Sequence, residues 1–139
     1  MNYILDTNAA IAVINGSPGR IRKHLKQLQN DGASVAVSSI VLFELWYGVA
    51  NSNRWTDNAA ALRAFLKQNI AVLSFDEEDA RAAGELRATL EQAATQIGAY
   101  DLLIAAQALR RNITLVTANT REFARAKGLL YEDWSLGLD

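Results

Sequence analysis

The sequence contains no cysteine and only one histidine, His24. Without cysteine the chain cannot form disulfides, use a thiol nucleophile, or hold zinc or iron–sulfur clusters through sulfur. A single histidine also excludes sites built from several imidazole ligands. A metal bound by this chain must therefore be held by oxygen atoms, which favours Mg²⁺ or Mn²⁺.

The sequence also lacks an excess of positive charge and any long apolar run. Its 14 basic and 15 acidic residues nearly cancel, so nucleic-acid binding would need a local basic patch or bound cations. No run approaches the ~18 apolar residues of a membrane span, and the first residues do not resemble a signal peptide. We therefore expect no membrane association and a cytoplasmic location.

Short apolar runs alternate with helical patterns along the 139 residues, without repeats or linkers. Strands are predicted at residues 3–5, 33–37, 70–73, 113–116 and 129–131. Helices are predicted at residues 7–14, 18–30 (with Pro18 opening the helix), 39–50, 56–68, from 76 onward, and 100–110. This alternation predicts one α/β domain over residues 1–139, with a parallel sheet that binds ligands beyond the carboxyl ends of its strands.

Two aspartates stand where a predicted strand ends or a predicted helix begins. Asp6 directly follows the first strand, and Asp101 opens the apolar helix over residues 100–110. Each can be explained separately as a helix cap or as a charge that compensates the helix dipole. Both positions are also within reach of the carboxyl edge of a parallel sheet.

Glu44 is the one charged residue in the apolar stretch from residue 40 to residue 47. On a helix its neighbours three and four residues away are Ile40, Val41, Tyr47 and Gly48, a face expected to be buried. A buried carboxylate costs several kcal/mol unless it is paired or bound to a metal. The alternative is a solvated position at the rim of the core.

Asn119 follows the predicted strand over residues 113–116, and Glu122 comes three residues later. An Asn in such a turn usually makes only a local hydrogen bond, and an acid at a helix start is usually solvated. A parallel sheet would nevertheless bring Asn119 to the same edge as Asp6. The sequence leaves open whether Glu122 joins a site there.

The three carboxylates Asp6, Glu44 and Asp101 can meet at this edge. Two carboxylates ~5 Å apart repel by about 3 kcal/mol at an effective dielectric constant near 20. Three of them cannot all stay ionised at low cost without a counter-cation. Such a set therefore favours a divalent ion.

Four segments combine these residues into a longer pattern: LDTN at 5–8, FEL at 43–45 with Gly48, IGAYDLLIAA at 97–106 and LVTANTREF at 115–123. Together they resemble the PIN-domain family and, more narrowly, the VapC-type toxin ribonucleases of bacterial toxin–antitoxin pairs. The resemblance covers essentially the whole chain, including Glu132-Asp133-Trp134. The block over residues 97–106 is its most specific part.

The resemblance implies a three-layer α/β/α sandwich with a central parallel sheet, a Mg²⁺ or Mn²⁺ site, and endonucleolytic cleavage of tRNA or other structured RNA. It assigns Asp6, Glu44 and Asp101 to the metal and to catalysis, and Asn119 to catalysis. The family often has Asp where this chain has Asn119, which carries no charge. One or two bound metal ions therefore both remain possible.

The resemblance also implies partners: a VapB-like antitoxin that covers the acidic groove, an RNA substrate, and a second copy of the chain in a homodimer. Residues that bind RNA are not identified by the sequence. Candidates for a basic rim are Arg20, Arg22, Lys23, Arg121, Arg125 and Lys127, and candidates for interface aromatics are Trp46, Tyr47 and Trp55.

Other functions remain open at this point. The chain could be a catalytically weakened PIN domain used for protein binding, because Asn119 replaces an acid, or a PIN-type nuclease that acts on DNA. A phosphoacceptor domain also places an Asp after a strand, but we find no second acid pair beside Asp6 of the kind such domains use.

Overall fold

Five parallel strands form the centre of the molecule, in the spatial order β3-β2-β1-β4-β5. The computed structural model describes residues 1–136. Its strands are β1 (Tyr3–Leu5), β2 (Val35–Ser38), β3 (Ile70–Leu73), β4 (Thr114–Val116) and β5 (Tyr131–Glu132). The predicted parallel sheet is confirmed.

Helices connect each strand to the next. They are α1 (Thr7–Asn15), α2 (Gly19–Asn30), α3 (Ser39–Ala50), α4 (Trp55–Leu66), α5 (Glu77–Gln92), α6 (Ala99–Arg111) and the short α7 (Thr120–Phe123). The chain moves outward from β1 to β3 and then returns to β4 and β5 on the other side of β1. Since parallel crossovers are right-handed, α1–α4 cover one face and α5 and α6 cover the other. This confirms the predicted α/β/α sandwich.

The central strands are mostly apolar because helices cover both of their faces, with Ser38 at the end of β2 as a buried polar exception. Every residue of β2 is buried, and Ile4, Leu5, Leu115 and Val116 are at most 1% exposed. The strands at the two edges are more accessible, and both residues of β5 are exposed. A rigid apolar sheet therefore supports the polar residues at its carboxyl edge.

Several predicted boundaries are wrong: α4 ends at Leu66 rather than residue 68, and the short α7 was not predicted. β2 begins at Val35 rather than residue 33, because the Asn2 side chain caps the approach by accepting from Ser34 N at 2.8 Å. Pro18 precedes α2 as its N-cap instead of being its first residue. β5 begins at Tyr131 rather than 129, because Leu129 packs into the core before the strand starts.

Trp134 anchors the end of the described chain to the core. It is 4% exposed and makes edge-to-face contacts with Tyr3 and His24, at centroid distances of 5.3 and 4.9 Å. This contact keeps Asp133 beside the first strand. Over residues 1–136, every helix is too short or too polar to cross a bilayer.

Candidate active site

The strand order reverses between β1 and β4, and α/β proteins bind ligands at the carboxyl edge beside such a point. The register pairs Leu5 with Val116, the last residue of each strand. Asp6 and Thr117 follow these residues, and the Asp6 amide continues the ladder by donating to Val116 O at 3.0 Å. The topology thus places Asp6 at the centre of this edge.

Asp6 is the N-cap of α1 and is also a buried charge. Its Oδ1 accepts from Ala9 N at 2.7 Å, and the residue is only 4% exposed. Burial raises the pKa of Asp6, against hydrogen bonds from the Thr117 hydroxyl and the Ala9 amide, and the charges of Glu44 and Asp133 raise it further. The capping interpretation is therefore correct, but it does not account for the carboxylates around Asp6.

Glu44 reaches the same edge from α3. Its Oε1 accepts a hydrogen bond from the Thr7 hydroxyl at 2.7 Å, which ties it to the residue after Asp6. The expectation that Glu44 lies on a buried face is wrong: Glu44 is half-buried, and Tyr47 is 63% exposed. The apolar stretch of α3 buries Val41 and Leu45 but leaves other apolar residues in solvent, so Glu44 sits at the boundary.

Asp101 lies in the first turn of α6 and is half-buried. Burial, followed by the charges of Glu122, Asp6 and Glu44, raises the pKa of Asp101 to about 6. A neighbouring carboxylate disfavours ionisation only when it is close and no cation compensates it. The four acids therefore share one electrostatic site.

Glu122 joins this site through two short hydrogen bonds. Its Oε1 accepts from Gly98 N at 2.7 Å and its Oε2 accepts from the Asn119 amide nitrogen at 2.6 Å. Glu122 therefore bridges the start of α6 and the loop after β4. Asn119 is exposed and contacts Glu122 through this hydrogen bond. Its predicted catalytic role stays a prediction.

Among residues 1–136, no Arg, Lys or His forms a salt bridge with the acidic site. Within residues 1–136, every salt bridge lies away from Asp6, Glu44, Asp101 and Glu122. In the same part of the chain no three acidic side chains are close enough to hold a metal ion as they stand. Asp6, Glu44 and Glu122 are held by hydrogen bonds to different partners, and their charges repel one another.

These donors nevertheless suit a hard divalent cation. All are carboxylates, and burial followed by the charges of neighbouring acids raises the pKa values of Asp6 and Asp101, so a bound cation would favour their ionised forms. The structure fits the predicted chemistry of the site, while the predicted ligand set of Asp6, Glu44 and Asp101 stays a prediction.

Three residues at this edge were missed as site residues in the sequence. Thr117 is 1% exposed and forms a hydrogen bond with Asp6. The Thr7 hydroxyl donates to Glu44, and the negative charge of Asp133 raises the pKa of Asp6. Thr117 and Thr7 each follow a strand end, which was a usable signal. Asp133 carried a similar signal, because it directly follows β5, whose Glu132 pairs with Val116.

The chain matches the PIN-domain family over residues 3–129. It is 41% identical to Ribonuclease VapC2 of Rickettsia felis (96% of this chain, 98% of that protein). It is 36% identical to the tRNA(fMet)-specific endonuclease VapC of Shigella flexneri (97% and 99%). Among solved structures, it resembles VapBC2 of Rickettsia felis bound to a promoter DNA fragment, with a TM-score of 0.90, 40% identity and coverage of 96% and 99%. DNA-bound VapBC from Salmonella typhimurium gives a TM-score of 0.89, 36% identity and coverage of 96% and 98%.

The fold and the acidic edge define a PIN-domain protein, and the chain belongs to that family. Within the family it groups with the VapC ribonucleases, to which it is similar along almost its whole length. The resemblance inferred from the four sequence segments is confirmed.

Proposed function

We propose that this chain is the toxin of a toxin–antitoxin pair and hydrolyses RNA phosphodiester bonds with the help of Mg²⁺ or Mn²⁺. One observation carries the proposal: Asp6, Glu44, Asp101 and Glu122 share the carboxyl edge of the sheet without a compensating Arg or Lys among residues 1–136. A protein keeps such a set of acids at a cost to its stability. Because the chain is 41% identical to a ribonuclease, we infer that these acids are kept for catalysis.

Asp6, Asp101 and Glu44 would hold the cation. The negative charge of Glu122, which raises the pKa of Asp101, would attract the same cation. The cation, when bound, would stabilise charge on the cleaved phosphate and lower the pKa of the attacking water. Glu44 would accept a proton from that water, with its carboxylate oriented by the Thr7 hydroxyl. Asn119 would orient the water or a phosphate oxygen, directly or through its hydrogen bond to Glu122.

The substrate class we propose is structured RNA, with tRNA first. Two relatives that are 36% identical to this chain are named tRNA(fMet)-specific endonucleases, and each is covered at 98% or more. The DNA alternative has less support, because the DNA named with the Rickettsia complex is a promoter fragment.

The partner we propose is a VapB-like antitoxin. Two solved structures that this chain resembles are VapBC complexes, and it covers 99% and 98% of the matched chains. An open groove of about 290 Å³ runs beside Glu44 and is lined by apolar residues that include Ile11, Leu45 and Val49. An antitoxin segment in this groove could supply the missing cation to the acidic edge. A homodimer within the complex completes the assembly we propose.

The decisive experiment measures cleavage of purified tRNA by the chain freed of its antitoxin. We expect cleavage with Mg²⁺ or Mn²⁺, none in EDTA, and a loss of at least about 100-fold in Glu44→Gln. The matched control is Glu78→Gln, an exposed acid at the start of α5, which should keep wild-type activity. Cleavage in EDTA, or full activity of Glu44→Gln, would contradict the proposal.

The second candidate function is a protein-binding PIN domain with weakened catalysis. Asn119 supports it, because it adds no charge to the site and its amide is committed to Glu122. This candidate predicts an intact complex with the antitoxin and no metal-dependent cleavage of any RNA tested. Asn119→Asp would then be expected to introduce cleavage.

A further inference from the structure

Asp133 is an acid beside the candidate active site that the proposed mechanism does not use. It directly follows β5, and the Thr117 amide donates to Glu132 O at 2.9 Å. In a parallel ladder this bond pairs Thr117 with Asp133. The bond from Asp6 N to Val116 O pairs Asp6 with Thr117 in the same way. Asp6, Thr117 and Asp133 therefore form a row across the sheet, one residue beyond the ends of β1, β4 and β5.

The side chains of this row lie on the same face of the sheet. Neighbouring strands are about 4.8 Å apart, so the backbone of Asp133 lies ~10 Å from that of Asp6. Thr117 stands between them, is 1% exposed, and forms a hydrogen bond with Asp6. Because side chains alternate along a strand, the adjacent acid Glu132 belongs to the opposite face. The register thus directs Asp133 to the acidic edge and Glu132 away from it.

The position of Asp133 is fixed although it lies near the end of the described chain. Its Oδ1 accepts hydrogen bonds from Ser135 N, at 2.9 Å, and from the Ser135 hydroxyl. Trp134, between these two residues, is 4% exposed and packs against Tyr3 and His24. Within residues 1–136, Oδ2 of Asp133 accepts no hydrogen bond and the residue forms no salt bridge. The charge of Asp133 is therefore available to another group.

The turn over residues 133–135 does not require a charge at its first position. An Asn side chain accepts the same hydrogen bond from the amide two residues later. The charge instead has a cost, because it raises the pKa of Asp6 and adds to the repulsion at the edge. A carboxylate kept at such a cost beside the four acids of the candidate active site indicates a cation that all of them share.

We propose that Asp133 belongs to the cation site at this edge and strengthens the binding of Mg²⁺ or Mn²⁺ there through its charge. This inference rests on the proposed function, because it concerns the cation that cleavage would use, and it extends the site across the sheet to β5. Groups around the direct ligands of a metal ion commonly tune its affinity in this way.

The experiment separates the charge of Asp133 from its turn with three substitutions. Asp133→Asn keeps the acceptor for Ser135 and removes the charge, whereas Asp133→Glu keeps the charge and changes the turn. Glu132→Gln is the matched control, because it removes a neighbouring charge on the opposite face and keeps the acceptor for Trp134 Nε1. The affinity for Mn²⁺ is measured at constant ionic strength from the electron paramagnetic resonance signal of the free ion. The melting temperature is measured in EDTA.

We expect Asp133→Asn to weaken Mn²⁺ binding about 10-fold, and Asp133→Glu and Glu132→Gln to bind within about 3-fold of the wild type. In EDTA, Asp133→Asn should melt at or above the temperature of the wild type, because a repulsive charge is removed and the turn is kept. Wild-type affinity in Asp133→Asn overturns the inference. An equal loss in Asp133→Asn and Asp133→Glu assigns the effect to the turn, and a lower melting temperature of Asp133→Asn in EDTA makes the residue structural. Both of these results also overturn it.

The inference and the proposed function can fail separately. If Mn²⁺ binding depends on Asp133 as expected but the wild type cuts no RNA with Mg²⁺ or Mn²⁺, the ribonuclease proposal is wrong and the inference stands. If the wild type cuts RNA with Mn²⁺ and Asp133→Asn binds the ion as tightly as the wild type, the inference alone is wrong.

Discussion

Asp6 combines two roles that conflict at the level of one residue. As an N-cap it stabilises α1 through the hydrogen bond from Ala9 N. As a buried charge near Glu44 and Asp133 it destabilises the fold, which its raised pKa expresses. An Asn side chain can cap a helix as well as Asp, so substitution can separate the cap from the charge.

We predict that Asp6→Asn reduces RNA cleavage at least about 100-fold and leaves the metal-free protein as stable as the wild type or more stable. Asp6→Ala should lose the same activity and also about 1 kcal/mol of stability, because the cap is lost. Thermal melts in EDTA with parallel cleavage assays test this. A clear destabilisation by Asn would mean that the charge itself supports the fold.

Asp101 makes the stability of the metal-free protein depend on pH. Its folded pKa of about 6 lies above its ordinary value, so between about pH 4 and 6 the native state binds more protons than the unfolded state. Stability from this group is therefore full at low pH and is lost as the pH rises through 6. Above this range the contribution is constant.

We predict that in EDTA the melting temperature of wild type relative to Asp101→Asn falls between about pH 4.5 and 7. The difference arises because the variant cannot ionise at this position. Melts across this range in matched buffers check the sign. A wild type that gains stability relative to the variant as the pH rises would show that a cationic group compensates Asp101.

A buried charge network fixes α6 against α5 at the element scale. Asp79 is 0% exposed and accepts from Arg110 Nε and Arg111 Nη2, both at 2.8 Å, and from Gln107 at 3.1 Å. Burial alone would raise the pKa of Asp79, but hydrogen bonds from Arg111, the Asp76 amide and Arg110 hold it well below its usual range. The network lies at the end of α6 opposite Asp101, so it sets the direction of the helix that carries that residue.

We predict that Asp79→Asn destabilises the protein by about 2 kcal/mol, because it removes the buried charge that accepts hydrogen bonds from Arg110 and Arg111, which keep only their pairs with Asp76. The control is Glu85→Gln, which removes the exposed Arg81–Glu85 pair and should change stability by less than about 0.5 kcal/mol. Since the pKa of Asp79 is depressed, its contribution is present above about pH 4 and is lost below it. Denaturant unfolding at pH 7 and pH 3 measures both effects.

The whole molecule assembles the acidic site from segments that are far apart in the chain. Asp6 precedes α1, and Glu44, Asp101 and Glu122 lie on α3, α6 and α7. The strand order and the helix packing bring these segments together. The free energy gained by packing the sheet and its helices therefore offsets the repulsion between these carboxylates. A bound divalent cation should return part of this energy to global stability.

We predict that Mn²⁺ at 100 times its dissociation constant stabilises the wild type by about 2.7 kcal/mol, which raises the melting temperature by roughly 10 °C. Asp101→Asn should respond much less, whereas Glu78→Gln should respond like the wild type. Calorimetric scans with and without Mn²⁺ provide the measurement. An equal shift in wild type and Asp101→Asn would place the cation elsewhere.

The sequence by itself determined the fold class, the five strands and the helices other than α7 among residues 1–136, and it singled out Asp6, Glu44 and Asp101 as candidate site residues. Alternating apolar runs and helical patterns located all five strands to within two residues, because strand and helix periods are local properties. The segments around Asp6, Glu44 and Asp101 were recognisable for the same reason: each lies in a short motif that can be read without knowing the fold.

Only the tertiary structure decided which side chains interact. The hydrogen bond of Thr7 to Glu44, the bridging position of Glu122 and the proximity of Asp133 to Asp6 depend on strand order and helix packing. The exposure of Phe43 and Tyr47 was not predictable either, because an apolar helix shows the same sequence whether its outer face meets the core or solvent. Contacts between distant segments are set by the packing of the whole chain, and no local pattern encodes them.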